Sequence, residues 1–445
     1  MINSPRRIEE LRRAIRITRG GNFLSLSEIG LLTLVVISQT ILLSHFQGTG
    51  DLHDAGVYFR SGLDVLNGDN PYPKSRWGTF GPVPFALVIS LIPGYLQAIT
   101  IKLFSILSLM LVMRYLLPRM SNLQLILGLF FCTWLSAFRE LIVTNQMSLI
   151  SLGLFTIGAK ISKANTQGGS AWGSKILAAF FFLVALELKP HLILAVFIFW
   201  VIRYRLVMVT YLTIFLAVVT HAAINFSQGE VLEVDFLNNL LGLGDKASSS
   251  ALGDSLSFWP ILNHYIQAPS VYFVCALILP GSLALFGAIL VQKKYWLNAL
   301  FIAFLIPSTS IYFHFYDSIP ICVIAVYSLI KLKNVPLGTF TLAFLFIPKE
   351  FLSHRNQLLV IFLTLFFSIY ATNIRERRKI LIGFLHWISG LLGVWIVHMV
   401  NTSLNLSPYL YQSLIVTETI VLSSLVFLYA TVVKKVFESQ ETMIP

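Results

Sequence analysis

The sequence is poor in charge and in cysteine. Charged side chains make up 12% of the 445 residues, about half the share that is usual in soluble domains. So little charge argues against an ordinary soluble domain, whose water-exposed surface needs more polar cover. The three cysteines, Cys132, Cys275 and Cys322, lie in apolar stretches without metal-ligand spacing. We interpret them as small hydrophobic residues.

Apolar residues are abundant instead. They make up 56% of the chain, and the mean hydropathy is +0.78. Runs of about twenty apolar residues recur along nearly the whole chain, and each is long enough to cross the hydrocarbon core of a bilayer. Such runs form helices in lipid because the backbone must satisfy its own hydrogen bonds. The sequence therefore predicts an all-α polytopic membrane protein with about 12 to 14 transmembrane helices.

Basic residues indicate the orientation in the membrane. The segment 1–24 holds six arginines in "RRIEELRRAIRITR", and we interpret it as an amphipathic cytoplasmic helix because basic flanks stay inside. The apolar run that follows is too long for a signal peptide. Further basic loops lie at 114–119, 160–175, 203–205, 293–294, 331–333, 375–379 and 434–435. This pattern predicts cytoplasmic termini, and it attributes the net charge of +12 to orientation and anionic lipids rather than to nucleic acid.

Two long segments are then predicted to face outward, at about 47–97 and 225–269. The first contains the acidic stretch "DLHDAGVYFRSGLDVLNGDNPYP". It continues into apolar residues interrupted by glycine and proline, which we interpret as a short helix at the membrane interface. The second mixes small flexible residues with Trp259, whose ring is a candidate for stacking on a sugar. An inert surface loop is the alternative for the second segment.

The acidic stretch predicts one helix. It begins at Asp51 or His53, and Gly68 supplies a left-handed cap at its end. Asp54 lies in the first turn, where the helix dipole favours an anion, and it shares a face with Tyr58. On the outward-facing surface of the membrane, the Asp54 carboxylate is a candidate general base. A solvated connector is the alternative for this stretch.

Other polar groups are predicted at the outer ends of helices. Ionisable residues at membrane depth are costly and usually functional, whereas those at the level of the lipid headgroups cost little, and both positions remain open for these groups. They are Arg139, Glu140, Asn145 and Gln146 in one tight turn, Glu187, Lys189 and His191 in a second, and His314, Tyr316 and Asp317 in a third. Each set has a structural alternative. Lys189 can snorkel to the interface, Asn145 and Gln146 can cap helix ends, and the aromatic residues around His314 can form an interfacial belt.

Four of these stretches together resemble glycosyltransferase family 87. "DAGVY", "LNGDNPY" and "GPVP" are similar to that family's opening loop, which has an Asp, then Val-Tyr, Gly-x-x-Pro-Tyr and Tyr-Pro-Pro. "TNQMSL" resembles its Gly-Gln-x-Asn segment, and "LKPHLIL" followed by "RYR" resembles its Lys-Pro helix with a basic end. "PSTSIYFHFY" resembles part of its Ser-Pro-x-Ser-Trp-x-His-His region. The resemblance covers about 25–330.

The resemblance implies a fold and roles for particular residues. The fold would be a GT-C-type helix bundle, with the catalytic module at 25–330 and further transmembrane helices at 331–445. Asp54 would be the general base that activates the acceptor hydroxyl. The candidate donor-phosphate ligands are Lys189, His314 and Arg139, and the candidate sugar or acceptor ligands are Tyr58, Asn145, Gln146 and Trp259.

We therefore predict an inverting glycosyltransferase with its active site on the outer face of the plasma membrane. In a bacterium this is the inner membrane. The enzyme would transfer a sugar, with mannose expected, from a polyprenyl-phosphate donor to a lipid or glycan acceptor. No metal or other cofactor is required by this scheme, and no acidic cluster with metal-ligand spacing appears in the sequence. An ion shared by Asp51 and Asp54 is the alternative. No acid is required either, because the polyprenyl phosphate leaves as a stable anion. Two other functions remain open: a transporter or lipid flippase, in which Lys189 and Pro190 mark a broken helix, and an envelope glycan polymerase.

Overall fold

The structure, a computed structural model, describes residues 53–71, 90–117, 120–134, 136–165, 172–235, 269–292, 295–309 and 314–330. These residues are mostly helical and include no β-strand, in agreement with the all-α prediction. The predictions made for 1–24, for Trp259 and for 331–445 lie outside the described residues.

The helices are numbered here in chain order within the described residues. They are α1 (His53–Leu66), α2 (Gly94–Leu111), α3 (Asn122–Trp134), α4 (Ser136–Val143), α5 (Ser148–Asn165), α6 (Trp172–Leu188), α7 (Pro190–Tyr204), α8 (Val207–Gln228), α9 (Pro269–Gln292), α10 (Trp296–Leu305) and α11 (Ile319–Ile330). A π-helical turn, Val112–Leu116, extends α2, and 3-10 turns lie at Ile306–Thr309 and Phe315–Ser318.

Local sequence sets several of the helix ends. Gly68 follows α1 with a φ of 82°, which confirms the predicted left-handed cap. Pro190 is the first residue of α7, where its missing N–H would have had no helical partner in any case. Gly229 ends α8 with a φ of 70°. These positions follow from glycine and proline stereochemistry alone.

The tight turn that was predicted to hold Arg139 to Gln146 is shorter than expected. Arg139 and Glu140, expected in the tight turn with Asn145, lie instead inside α4. Most of the run "SAFRELIV" sustains a helix, so the chain reverses only at Asn145, whose φ of 53° is left-handed. The side chains of Arg139 and Glu140 lie outside the described set.

Within the described residues, two stretches have the length and apolar composition that a membrane crossing requires, Ala98–Leu116 and Val207–Gln228. Shorter apolar helices are Pro190–Tyr204, Pro280–Gln292 and Trp296–Leu305. The second long stretch, which is α8, is peripheral, because only 11% of its apolar window is buried. Its exposed face carries large apolar side chains, among them Tyr211, Phe215 and Val218. A continuous apolar face of this kind is suited to contact with lipid.

The centre of the bundle is aromatic. Phe155 of α5 packs against Phe182 of α6 at a ring-centroid distance of 5.3 Å and against Trp200 of α7 at 6.3 Å. The Trp200 indole also donates a hydrogen bond of 3.0 Å to the hydroxyl of Ser162, so its polar edge is satisfied inside the core. These contacts fix α5, α6 and α7 relative to one another.

The helices α2 and α5 lie close together at Gly153. A Cβ atom at this position would lie 2.9 Å from the backbone Cα of Ser108, so α2 would have to move. We expect Gly153→Ala to destabilise the fold by about 1–3 kcal/mol, measured as a lower apparent melting temperature. Gly173→Ala in α6 is the control, since a Cβ there meets nothing within 4 Å. Equal melting temperatures for the two variants would contradict this packing.

Several predicted cytoplasmic basic residues gather at one end of the bundle. The Lys160 ammonium lies 3.7 Å from the ring centroid of Tyr115, and the Arg203 guanidinium lies 4.8 Å from that of Trp296. The two sites are adjacent, because the Trp296 indole donates a hydrogen bond of 3.3 Å to the carbonyl of Leu116. Cations on aromatic rings are typical of a membrane-water interface. We call this the basic end.

Candidate functional site

The opposite end of α5 carries a cluster of polar residues centred on Asp317. This carboxylate is fully buried and accepts a hydrogen bond of 2.6 Å from the hydroxyl of Ser148. The Lys189 ammonium lies 3.8 Å from Oδ1, and Nε2 of His191 lies 3.6 Å from Oδ2. The backbone N–H of His314 also donates to Oδ2 at 3.4 Å. We call these five residues the Asp317 cluster.

The cluster lies where three helices begin. Ser148 is the first residue of α5, Lys189 immediately precedes α7, and Asp317 lies in the 3-10 turn that leads into α11. The N-terminus of a helix carries unpaired N–H groups and a partial positive charge. Three such termini together favour negative charge, which explains why a carboxylate can be buried here. The same field suits a bound anion.

Three of the four segments singled out in the sequence meet at this cluster. "TNQMS" contributes Ser148, "LKPH" contributes Lys189 and His191, and "FHFYD" contributes His314 and Asp317. The His314 ring stacks on that of Tyr316 with 5.1 Å between centroids. Lys189 lies 5.2 Å from the same Tyr316 ring. The predicted donor-phosphate ligands Lys189 and His314 are therefore neighbours.

Asn145 is a buried amide without a partner. It is 1% exposed, and neither its Nδ2 nor its Oδ1 has a hydrogen bond within the part of the chain that the structure describes. Buried polar groups are almost always hydrogen-bonded, because an unpaired one costs about 1–3 kcal/mol. Asn145 lies three residues before Ser148, so this unsatisfied amide is next to the Asp317 cluster. Its neighbour Gln146 is also buried.

The fourth segment, which forms α1, lies beside the other three. Tyr58 and Phe59 of α1 pack against a small cluster formed by Ile101, Met147 and Leu188. Met147 directly precedes Ser148, and Leu188 directly precedes Lys189, so α1 covers the same end of the bundle. Asp54 lies one helical turn before Tyr58, as predicted. Its side chain is outside the described set.

The far end of α1 is tied to α8 by polar contacts. The Gln228 amide donates a hydrogen bond of 2.8 Å to the carbonyl of Val65. The Asn70 amide donates one of 2.7 Å to the carboxylate of Asp235. Together with the Tyr58 contacts, these bonds hold α1 in one position over the end of the bundle.

A second polar network, not expected from the sequence, lies beneath this attachment. Both ring nitrogens of His221 face carboxylates, Glu233 at 2.7 Å and Glu187 at 2.9 Å. Asn225 donates a hydrogen bond of 2.6 Å to the other oxygen of Glu233. Burial alone would raise the pKa of Glu233, but the hydrogen bonds from Asn225 and His221 lower it below its ordinary value. The network joins α6, α8 and the helical residues 232–235 that follow α8.

We expect Asn145→Gly to separate binding from stability. Glycine adopts the left-handed backbone without strain, and the substitution removes an unpaired buried amide, so the melting temperature should not fall. Any ligand that the amide binds should lose about tenfold in affinity or turnover. Arg205→Gly is the control, because Arg205 has a similar φ of 52° and lies at the basic end. A melting temperature lowered only in Asn145→Gly would instead indicate a structural role for the amide.

Comparison with known proteins identifies no relative. No protein-family model matches the chain, and no curated protein or solved structure matches it. Within the described ranges, no group of three or more His, Cys, Asp or Glu side chains is arranged to hold a metal ion. The resemblance to glycosyltransferase family 87 therefore stays a prediction based on the quoted motifs.

Proposed function

We propose that this protein is an inverting membrane glycosyltransferase. It transfers a sugar, with mannose expected, from a polyprenyl-phosphate donor to a lipid or glycan acceptor outside the cell. The reaction takes place at the end of the bundle that carries the Asp317 cluster. Asp54 is the general base, and no metal takes part.

One observation carries the proposal. Four segments that lie far apart in the sequence, and that were selected because of their motifs, come together at one end of the bundle. Three of them meet at Asp317, and the fourth, α1, packs beside them through Tyr58. Segments that merely lie at the outer ends of helices would share one end of the bundle, but they need not contact one buried carboxylate as these do. The buried, unpaired amide of Asn145 adds a group that a polar ligand would satisfy.

The chemistry needs only one carboxylate. As the acceptor oxygen bonds to the anomeric carbon, Asp54 takes the hydroxyl proton. The bond between the anomeric carbon and the phosphate oxygen breaks, and its electrons leave on the phosphate. Because a phosphate is a stable anion, no acid has to protonate it, unlike the leaving group in glycoside hydrolysis. A single displacement of this kind inverts the anomeric configuration.

The distribution of charge supports an outward-facing site. Lys160 and Arg203 lie at the basic end, whereas Ser148 begins the same helix as Lys160 at the Asp317 cluster. Positively charged residues mark the cytoplasmic side of membrane proteins. The Asp317 cluster would then lie on the outer side, where polyprenyl-phosphate sugars are used as donors.

A transfer assay tests the proposal. Purified protein in phosphatidylcholine nanodiscs is given radiolabelled polyprenyl-phosphate mannose and a membrane glycolipid extract as acceptor. We expect label to pass into a product of inverted anomeric configuration, without added metal and in the presence of EDTA. Parallel reactions with glucose and galactose donors identify the sugar. Absence of transfer from all three donors, with folded protein, would contradict the proposal.

A further inference from the structure

Lys102 is a buried lysine for which the described residues provide no counter-ion. It lies in α2 and is 4% exposed. Among the described residues, no side chain forms an ion pair, a hydrogen bond or a ring contact with its ammonium. A lysine in a helix of this apolar character is rarely found away from water without a function.

The position of Lys102 on α2 excludes the simplest structural explanation, which is that the side chain snorkels along the helix surface to the membrane interface. Ile106, Leu109 and Met113 follow it at helical spacing, and all three are buried in the main core. Leu103, Phe104 and Leu107 form the exposed side of the helix. Lys102 therefore projects from the face that packs into the bundle, and its stem does not run outward along the lipid-facing side to the interface.

Lys102 is at the level of the Asp317 cluster. The preceding residue, Ile101, packs with Met147 and Leu188, the direct neighbours of Ser148 and Lys189. The two lysines nevertheless differ in whether a carboxylate lies beside the ammonium. Lys189 lies 3.8 Å from a fully buried carboxylate, which offsets its charge. None of the described side chains offers Lys102 such a carboxylate, so within this part of the chain its charge is available to a ligand.

We propose that Lys102 binds the phosphate group of the lipid donor. The ligand class is a phosphate monoester or diester, and the positive charge of Lys102 adds to the field of the three helix N-termini. The inference rests on the proposed function only for the identity of the lipid that carries the phosphate. Lys189 and Asp317 then form a neutral pair that shapes the site, while Lys102 supplies the net positive charge.

Binding of dodecyl phosphate tests the inference without any sugar transfer. The full chain is placed in nanodiscs of zwitterionic phosphatidylcholine, and dissociation constants are measured for wild type, Lys102→Met and Lys102→Arg. We expect Lys102→Met to weaken binding roughly ten- to hundredfold, as for loss of a charge-assisted hydrogen bond. Lys102→Arg keeps the charge and should stay within about threefold of wild type. A parallel series with inorganic phosphate separates a lipid-phosphate site from a free-phosphate site.

The control is Lys160→Met. Lys160 is exposed and lies at the basic end, so its loss changes the net charge equally without touching the site. Equal weakening in Lys160→Met and Lys102→Met would overturn the inference, and so would unchanged binding in Lys102→Met. Inorganic phosphate binding as tightly as dodecyl phosphate would overturn the lipid part of it.

A measurement on the wild-type protein covers the case in which Lys102→Met does not fold. Reductive methylation of lysines is continued until Lys102 is modified in the ligand-free protein and is read by mass spectrometry. At that exposure to reagent, dodecyl phosphate should slow methylation at Lys102 and leave it unchanged at Lys160. Absence of protection at Lys102 would reject the inference. If dodecyl phosphate binds through Lys102 but no sugar donor is used, the inference stands and the proposed function fails. If sugar transfer occurs but Lys102 does not contribute to dodecyl phosphate binding, the proposed function stands and the inference about Lys102 fails.

Discussion

Asp54→Asn is expected to abolish sugar transfer while leaving the protein folded. A general base typically contributes about a hundred- to ten-thousandfold to the rate, so transfer should fall by at least about a hundredfold. Asparagine has nearly the same shape and can still accept hydrogen bonds at the start of α1, but it cannot take a proton. The initial rate with labelled polyprenyl-phosphate mannose measures the effect, at donor concentrations well above and well below KM.

Two comparisons make this result specific. Asp69→Asn removes an exposed carboxylate just beyond the end of the same helix and should transfer sugar at the wild-type rate. Dodecyl phosphate binding by Asp54→Asn should also match wild type, because the base does not hold the phosphate. Normal turnover by Asp54→Asn would remove Asp54 from the mechanism. Equal loss in Asp69→Asn would point to a general effect of charge on α1.

Lys189→Met should cause the largest loss of stability of any single substitution in the Asp317 cluster. The Asp317 carboxylate is fully buried, and Lys189, itself only 7% exposed, lies beside it. Removal of one partner from a buried ion pair leaves an uncompensated charge and typically costs about 3–5 kcal/mol. His191, at 3.6 Å from the same carboxylate, offsets part of this cost. The apparent melting temperature in nanodiscs should fall clearly.

A second substitution should reverse most of that loss. In the double variant Lys189→Met, Asp317→Asn, neither charge remains. The asparagine oxygen can still accept the hydrogen bond from the Ser148 hydroxyl, whereas the amide NH2 replaces the oxygen that accepted from the His314 N–H, so a small part of the loss should remain. Replacement of both partners of a buried pair is often neutral, so the melting temperature should return close to that of wild type. Lys163→Met, which replaces an exposed residue at the end of α5, should leave the melting temperature unchanged. A double variant no more stable than Lys189→Met alone would show that the two charges are not coupled.

Local chemistry determined the helices and their limits. The acidic stretch predicted α1, and Gly68 caps it because only a residue that tolerates a positive φ can reverse the chain there. Pro190 starts α7 for an equally local reason. Arg139 and Glu140 show where local reading failed, since a turn had been expected in a run that continues as α4. Only the left-handed Asn145 marks the reversal.

The membership of the site depended on tertiary contacts. Ser148 and Asp317 are 169 residues apart, and nothing near Asp317 in the sequence indicates that it, rather than His314, would be the centre. Lys189 was a candidate because it was predicted at an outer turn. The ion pair that offsets its charge is visible only when α7 and the 3-10 turn before α11 are packed together. Sequence patterns report helical faces and ends, not which ends meet.

The sequence by itself determined the apolar helical character of the chain, the helix ends that glycine and proline set, and most of the polar residues that lie at helix ends. These properties follow from hydrophobicity and backbone stereochemistry, which act over a few residues. The tertiary structure alone decided that three helix N-termini enclose Asp317. It alone also decided that Lys102 lies on the buried side of α2, with no counter-ion among the described residues. Burial and charge pairing depend on neighbours that are distant in the chain, so only the packed bundle reveals them.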